Sequence, residues 1–236
     1  METHWDELTV DGSEMRCFVA VADATPAGAI LVAQHAGGVD GFIREMTRRF
    51  ADAGFVAIAP ELYHRNMSAS PQSMDDAMTM MGRLRDDEVE RDCNAAIAHV
   101  KSMPEVRGDR IGSTGFCMGG RVAYLMATRS AELKAAVVFW GGSIMREWGD
   151  GRAPFEDTDK ITAPILGIFG EDDGNPSPAD VAKLDAELTR LGKAHEFHSY
   201  AGAGHAFMNE GRPSYRPEAS ADAWEKATAF FGKHLS

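Results

Sequence analysis

Short runs made only of apolar residues recur along this chain, and they constrain its fold more than any other feature. Ala29-Ile30-Leu31-Val32-Ala33, Phe55-Val56-Ala57-Ile58-Ala59 and Ala135-Ala136-Val137-Val138-Phe139-Trp140 show no polar alternation. Strands of that kind are buried on both faces, as in a parallel sheet covered by helices. The segments between them have a helical period instead. Phe42, Met46, Phe50 and Ala53 share one face ahead of Gly54. Val89, Cys93, Ile97 and Val100 share another, and so do Val181, Leu184, Leu188 and Leu191 behind a Ser177-Pro178-Ala179-Asp180 helix start. Further strands are expected at 110–114, 164–170 and 195–200, and a last helix at about 217–234. Residues 8–21 read as a short strand pair turning at Asp11-Gly12, and residues 143–162 as an aperiodic polar loop. Alternating strands and helices predict a three-layer α/β sandwich: a mostly parallel, twisted sheet with helices on both faces. No repeat or linker interrupts the pattern, so residues 1–236 are expected to form one domain.

The chemistry concentrates in Gly115-Phe116-Cys117-Met118-Gly119-Gly120, set between a strand pattern and the helical stretch that begins at Gly120. Gly-x-nucleophile-x-Gly in a strand-turn-helix context is a nucleophile elbow, here with Cys in the usual Ser position. The turn holds its nucleophile in a strained backbone conformation, so the flanking glycines leave room where a Cβ would clash. The following helix aims free N–H groups and its positive dipole end at the sulfur, which favours a thiolate and a nearby oxyanion. The competing reading is a buried core cysteine at a glycine-rich turn. Cys17 and Cys93 fall in strand and helix patterns and read as core.

In sheets of this type ligands bind beyond the carboxyl ends of the strands. Cys117 sits there, and so do the carboxylates after residue 170 and His205 in the turn Gly202-Ala203-Gly204-His205. Nucleophile, acid, histidine is the chain order of the α/β-hydrolase triad. A thiol needs a base to become thiolate, and an imidazole needs a carboxylate to fix its tautomer. Asp172 and Asp173 both fit the acid position, with Glu171 beside them. His195 and His198, three apart on a strand, point to opposite faces and make a poor metal pair; no metal and no cofactor are expected.

The whole set of motifs resembles the dienelactone hydrolase family of α/β-hydrolases over nearly the full chain. The resemblance rests on Ala33-Gln34-His35, Ala59-Pro60-Glu61-Leu62-Tyr63, the elbow, Gly170-Glu171-Asp172-Asp173 and Gly204-His205-Ala206-Phe207. It implies a triad of Cys117, Asp173 and His205, and an oxyanion hole formed by the backbone N–H groups of Met118 and Ala36. It also implies substrate contacts from His35, Tyr63, Trp140 and Asn209. The chain departs from the family pattern twice. His35 stands where the prototype has a Glu that takes part in activating the thiol, and Asn209 where it has an Arg that holds a substrate carboxylate. An imidazole cannot repel a thiolate as a carboxylate does, so the resting thiol is expected to be reactive; His35 as a purely structural turn residue is the alternative. Arg83, Arg85, Arg146 and Arg212 are the candidates for a replacement cation.

A net charge of −12 argues against nucleic acid or an anionic membrane surface as partner. The first residues lack a signal-peptide pattern, no apolar run approaches spanning length, and three unpatterned cysteines suit a reducing compartment, so the expected location is the cytoplasm. Within the irregular residues 61–85, Ser68 to Ser73 reads as loop. Met74, Met78 and Met81 then fall at helical spacing, either as packing filler or as a substrate-pocket wall. The expected function is hydrolysis of small carboxylic esters or lactones by a monomer or homodimer. The alternatives are a hydrolase fold whose thiol senses oxidants or captures ligands without turnover, a hydrolase of another acyl or phosphoester class, and a non-catalytic binding protein.

Overall fold

A computed structural model describes residues 1–66 and 70–236. It opens on a hairpin of β1 (Glu2–Val10) and β2 (Ser13–Val21), paired antiparallel. Asp11 at φ 50° and Gly12 at φ 78° close it, and two left-handed residues give a turn whose twist matches the flanking strands. The pair begins six residues earlier than residue 8, because residues 2–7 are polar except for Trp5 and carry little apolar signal. The expected loop at Ser68–Ser73 lies partly outside the described residues.

The remaining elements are β3 (Ala27–Ala33), α1 (Gly41–Asp52), β4 (Val56–Pro60), α2 (Met74–Met81), α3 (Asp86–Ser102), β5 (Val106–Phe116), α4 (Met118–Arg129), β6 (Leu133–Phe139), β7 (Ile165–Gly170), α5 (Pro178–Arg190), β8 (His195–Tyr200) and α6 (Pro217–Leu235). The sheet runs β1-β2-β4-β3-β5-β6-β7-β8. β3 through β8 are parallel to one another, and β2 meets β4 antiparallel.

Side-chain alternation divides the core into two layers. Ile30 and Val32 of β3, Ala57 and Ala59 of β4, and Val137 and Phe139 of β6 pack with Phe50 of α1 and Phe231 of α6. Ala29, Leu31, Val56 and Ile58 face the other way, onto Val89, Cys93 and Ile97 of α3 and Val122 of α4. Ala136, Val138 and Ile165 join Leu184 and Leu188 of α5 on that second side. Both faces are thus covered, and the architecture is the expected three-layer α/β fold.

The loop expected at 143–162 is not wholly aperiodic: Pro154–Lys160 forms a 3₁₀ helix. Its partners are distant in sequence, which hides it from a periodicity reading. Thr158 Oγ1 meets Tyr124 Oη at 2.6 Å, and buried Asp157 takes Arg129 at 3.4 Å. Among the described residues no helix is long and apolar enough to cross a membrane.

Candidate active site

Cys117 is the hinge between β5 and α4. Its φ of 58° and ψ of −117° are the strained backbone the flanking sequence calls for. A Cβ on Gly115 would lie 2.1 Å from the Gly119 carbonyl oxygen, and one on Gly119 would lie 2.1 Å from the Ala33 oxygen. No side chain fits at either place, so the elbow exists only because both positions are glycine. The turn is pinned by Cys117 N–H donating to Phe139 O at 3.1 Å, and by Gly120 N–H donating to Cys117 O at 3.0 Å. The result is a thiol lifted out of the sheet and partly exposed, whereas Cys17 and Cys93 are buried. Burial pushes the Cys17 thiol up to about 12 and the Cys93 thiol well above its ordinary value.

The imidazole arrives from the turn after β8. Phe207 and Met208 are buried in the α1/α6 layer and fix that turn, while Ala206 takes a left-handed φ of 61°. His205 Nδ1–H donates to Asp173 Oδ2 at 2.8 Å. The second oxygen of the same carboxylate accepts the Asn175 N–H at 2.9 Å, so both oxygens have partners. The neighbouring acids are held differently. The N–H groups of Glu171 and Asp172 extend the pairing toward Tyr200 O and Ala203 O, at 3.0 and 2.9 Å, and both residues are exposed. The ambiguity between Asp172 and Asp173 thus resolves geometrically: it is Asp173 that meets the histidine. Burial pushes the His205 ring down, but hydrogen bonds to Asp173 and to the Cys117 sulfur outweigh it and lift the ring to about 10.

The N–H groups of Ala36 and Met118 have no acceptor among the described residues, and both residues line the cleft that holds Cys117 and His205. Tyr63 ties these two segments together beneath the surface, donating to Ala36 O at 3.1 Å and touching Met118 Sδ at 3.3 Å. Its side chain is fully buried and is not among the residues that line the cleft, although a substrate contact is what the family resemblance implies for it. Gln34 does similar work nearby, accepting the Leu62 N–H at 3.0 Å. His35, Trp140 and Asn209 do line the cleft. Trp140 is 1% exposed, with φ 36°, and packs on Phe207 at 5.1 Å and near the His205 ring at 6.5 Å.

His35 has an acidic neighbour. Its Nε2 lies 2.8 Å from Asp40 Oδ2, an ion contact off the line of the ring N–H. Asp40 in turn caps α1 by accepting the Ile43 N–H at 3.1 Å. Burial raises the Asp40 carboxyl, and His35 together with the Ile43 and Phe42 amides outweighs that and holds it below its usual value. Of the four candidate cations only Arg212 lines the cleft. Arg85 pairs with Asp150 at 2.7 Å, Arg83 reaches Asn66 at 3.3 Å, and Arg146 borders a smaller cavity of about 260 Å³.

One group escapes sequence reasoning altogether. Arg121 falls in a helix that reads as half surface, yet it is fully buried. Its guanidinium grips both Asp86 oxygens, donates to Ser143 O at 3.1 Å and Arg146 O at 2.6 Å, and lies 3.8 Å from the centre of the Trp148 ring. The clamp fastens the start of α3 and the loop after β6 behind the elbow. Its partners are far away in the chain, and no local pattern marks them.

The cleft itself is open, about 990 Å³, and lies at the carboxyl ends of the parallel strands. The arrangement can deliver a thiolate to a bound carbonyl, stabilise an oxyanion, and shuttle one proton. Among the described residues no cluster of His, Cys, Asp and Glu is arranged to hold a metal ion.

Comparison with known proteins places this arrangement in a lineage. A protein of Synechocystis sp. named "Putative carboxymethylenebutenolidase" is 34% identical over 213 residues, covering 87% of this chain and 86% of its own. A Bradyrhizobium protein named "Probable 2-oxo-3-(5-oxofuran-2-ylidene)propanoate lactonase" is 28% identical, over 98% of this chain and 94% of its own. The crystal structure of a "Putative Dienelactone Hydrolase" from Klebsiella pneumoniae superimposes with a TM-score of 0.90 at 27% identity, over 99% of this chain and 100% of that one. The family model for the dienelactone hydrolase family matches residues 15–235, and the chain belongs to that family.

Proposed function

We propose that this protein hydrolyses carboxylic esters or lactones, with Cys117 as nucleophile, His205 as proton carrier and Asp173 as its orienting acid. The observation that carries the reading is the meeting, in one cleft, of a thiol on a strained elbow and an imidazole hydrogen-bonded to a buried carboxylate. Family membership and the carboxymethylenebutenolidase and lactonase names of relatives support the substrate class.

The Cys117 thiolate attacks the carbonyl carbon, and the electron pair of the C=O bond moves onto oxygen. The N–H groups of Met118 and Ala36 stabilise that oxyanion; removing one such donor typically costs about 10²–10³ in rate. Collapse of the intermediate breaks the carbon–oxygen bond of the ester, and imidazolium His205 gives its proton to the departing alkoxide. The acyl group is left as a thioester on Cys117. A water molecule then attacks the thioester while neutral His205 takes its proton, and the carboxylic acid leaves with return of thiolate and imidazolium. Asp173 keeps Nδ1 protonated throughout, so Nε2 faces the thiol.

Pre-steady-state hydrolysis of p-nitrophenyl acetate tests this sequence. A burst of p-nitrophenol matched to enzyme concentration is expected, with a mass increase of one acetyl group located on Cys117. Multiple turnover by Cys117→Ala, or acylation at another residue, would refute the assignment.

A further inference from the structure

Within the proposed esterase reading, on which this step rests, one wall of the cleft has no role yet. α2 presents two faces. Met80 is buried in the core and half-buried Met81 packs against it, while Met74 and Met78 stand exposed; these two, with Ala77 and Met81, line the cleft that holds Cys117. Met74 is 56% and Met78 51% exposed, and apart from Met1 they are the large apolar side chains that the described residues leave exposed. Met74 and Met78 are therefore not packing filler, whereas Met81 does both jobs.

Two of the charged pairs in the cleft are internal to it. His35 faces Asp40 and His205 faces Asp173, each at 2.8 Å, while Arg212 stands exposed at the rim. At about 990 Å³ the cleft is also at the upper end of the range of small-molecule sites, roughly 300–1,000 Å³. Unbranched thioether side chains adapt to flexible apolar ligands. We infer that the α2 wall binds the apolar part of the substrate, so the preferred esters carry an extended hydrocarbon acyl group instead of a compact anionic one.

p-Nitrophenyl esters from acetate to octanoate, with the succinate monoester as compact anion, provide the test. A methylene wholly buried contributes about fourfold, so contact with one wall is expected to give about twofold each and roughly 60-fold in kcat/KM over the six methylenes from acetate to octanoate. Met74→Ser/Met78→Ser is expected to cut the octanoate-to-acetate ratio about tenfold, and Met74→Leu/Met78→Leu to retain it. A flat series, a preference for the succinate ester, or equal ratios in the two double variants would overturn the inference. So would a dimer, seen by sedimentation, that the serine variant dissociates without changing the ratio, since a second copy would then own the face. Absence of all ester turnover would count against the Cys117 mechanism, and the wall would still be read separately. N-phenyl-1-naphthylamine is expected to bind the Cys117→Ala protein and to lose about tenfold in affinity when the two serines are added; equal affinity would overturn the inference on its own.

Discussion

The two sides of the cleft are built on opposite principles. On the strand-end side every group has a fixed direction. Of the five non-glycine residues with left-handed φ among the described residues, Cys117, Trp140, Ser143 and Ala206 all line the cleft; only Asp11 lies elsewhere. Ser143 N–H also donates to Asn175 Oδ1 at 3.1 Å, which separates the cleft from the smaller cavity. On the α2 side there are exposed methionines on a short helix. Bond making needs atoms held in line, and backbone strain is tolerated where the surroundings over-determine it. Apolar contact needs area only, and flexible side chains supply it.

The sharpest way to break the comparison is to remove the thiol. Cys117→Ala is expected to lower turnover by about 10⁴ or more, with the far-UV circular dichroism and thermal midpoint kept. Retained turnover in a folded variant would mean that the strand-end side is scaffolding only.

Asp173→Asn is expected to cost about 10³–10⁴ in kcat, because an amide supports the wrong tautomer and cannot stabilise imidazolium. Exposed Asp172→Asn should stay within about twofold; a reversal would shift the assignment by one residue. The same pair gives a pH test. His205 is raised from 6.5 to about 10, chiefly by Asp173 and Cys117 against the opposing effect of burial. Its charged form therefore contributes stability fully below pH 6.5, and that contribution is lost as pH rises through about 10. Turnover should fall over the same upper limb as the proton for the leaving group disappears. An NMR titration of the His205 ring with a midpoint near 6.5, or one unmoved by Asp173→Asn, would contradict this.

Arg121→Met tests what holds the strand-end side from behind. Leaving Asp86 buried without its cation is expected to cost about 3–5 kcal/mol in urea unfolding. Adding Asp86→Leu is expected to recover most of that, since a buried pair replaced by apolar groups is often neutral. A single variant as stable as wild type would show that the clamp is not structural.

His35→Gln has the smallest expected effect. His35 faces Asp40 at 2.8 Å, so iodoacetamide alkylation of Cys117 should change by no more than about twofold. A tenfold drop would restore His35 as an activating group.

How much of this the sequence discloses follows from the distance over which each feature is encoded. The elbow is legible because its glycines, nucleophile and helix lie within a few residues, and each obeys a steric rule. The buried strands are legible because burial on both faces erases alternation. Spacing alone leaves Asp172 and Asp173 equivalent, and the family resemblance singles out Asp173; the pairing of Asp172 N–H with Ala203 O, at another strand end, shows why the two differ. Tyr63 looked like a cleft residue from its neighbours in the chain, yet its hydroxyl is taken by Ala36 O beneath the surface. Arg121 and Asp86 were invisible as a pair, since each alone is an ordinary helical residue. The methionines of α2 had the right spacing for either face, and only the packing of Ala77 and Met80 decides which side turns inward.

The order of strands in the sheet bears on how the protein is made. From β5 the sheet grows outward in chain order, through β6 and β7 to β8, so each newly synthesised strand docks beside the one before it. The cysteine is in place at the end of β5, whereas its imidazole follows β8, the last strand to be added. A ribosome-bound chain therefore carries its sulfur through the synthesis of two α-helices, a 3₁₀ helix and three strands before the imidazole is made. On the mechanism proposed for this cleft, the nucleophile meets its base only when the sheet edge is complete.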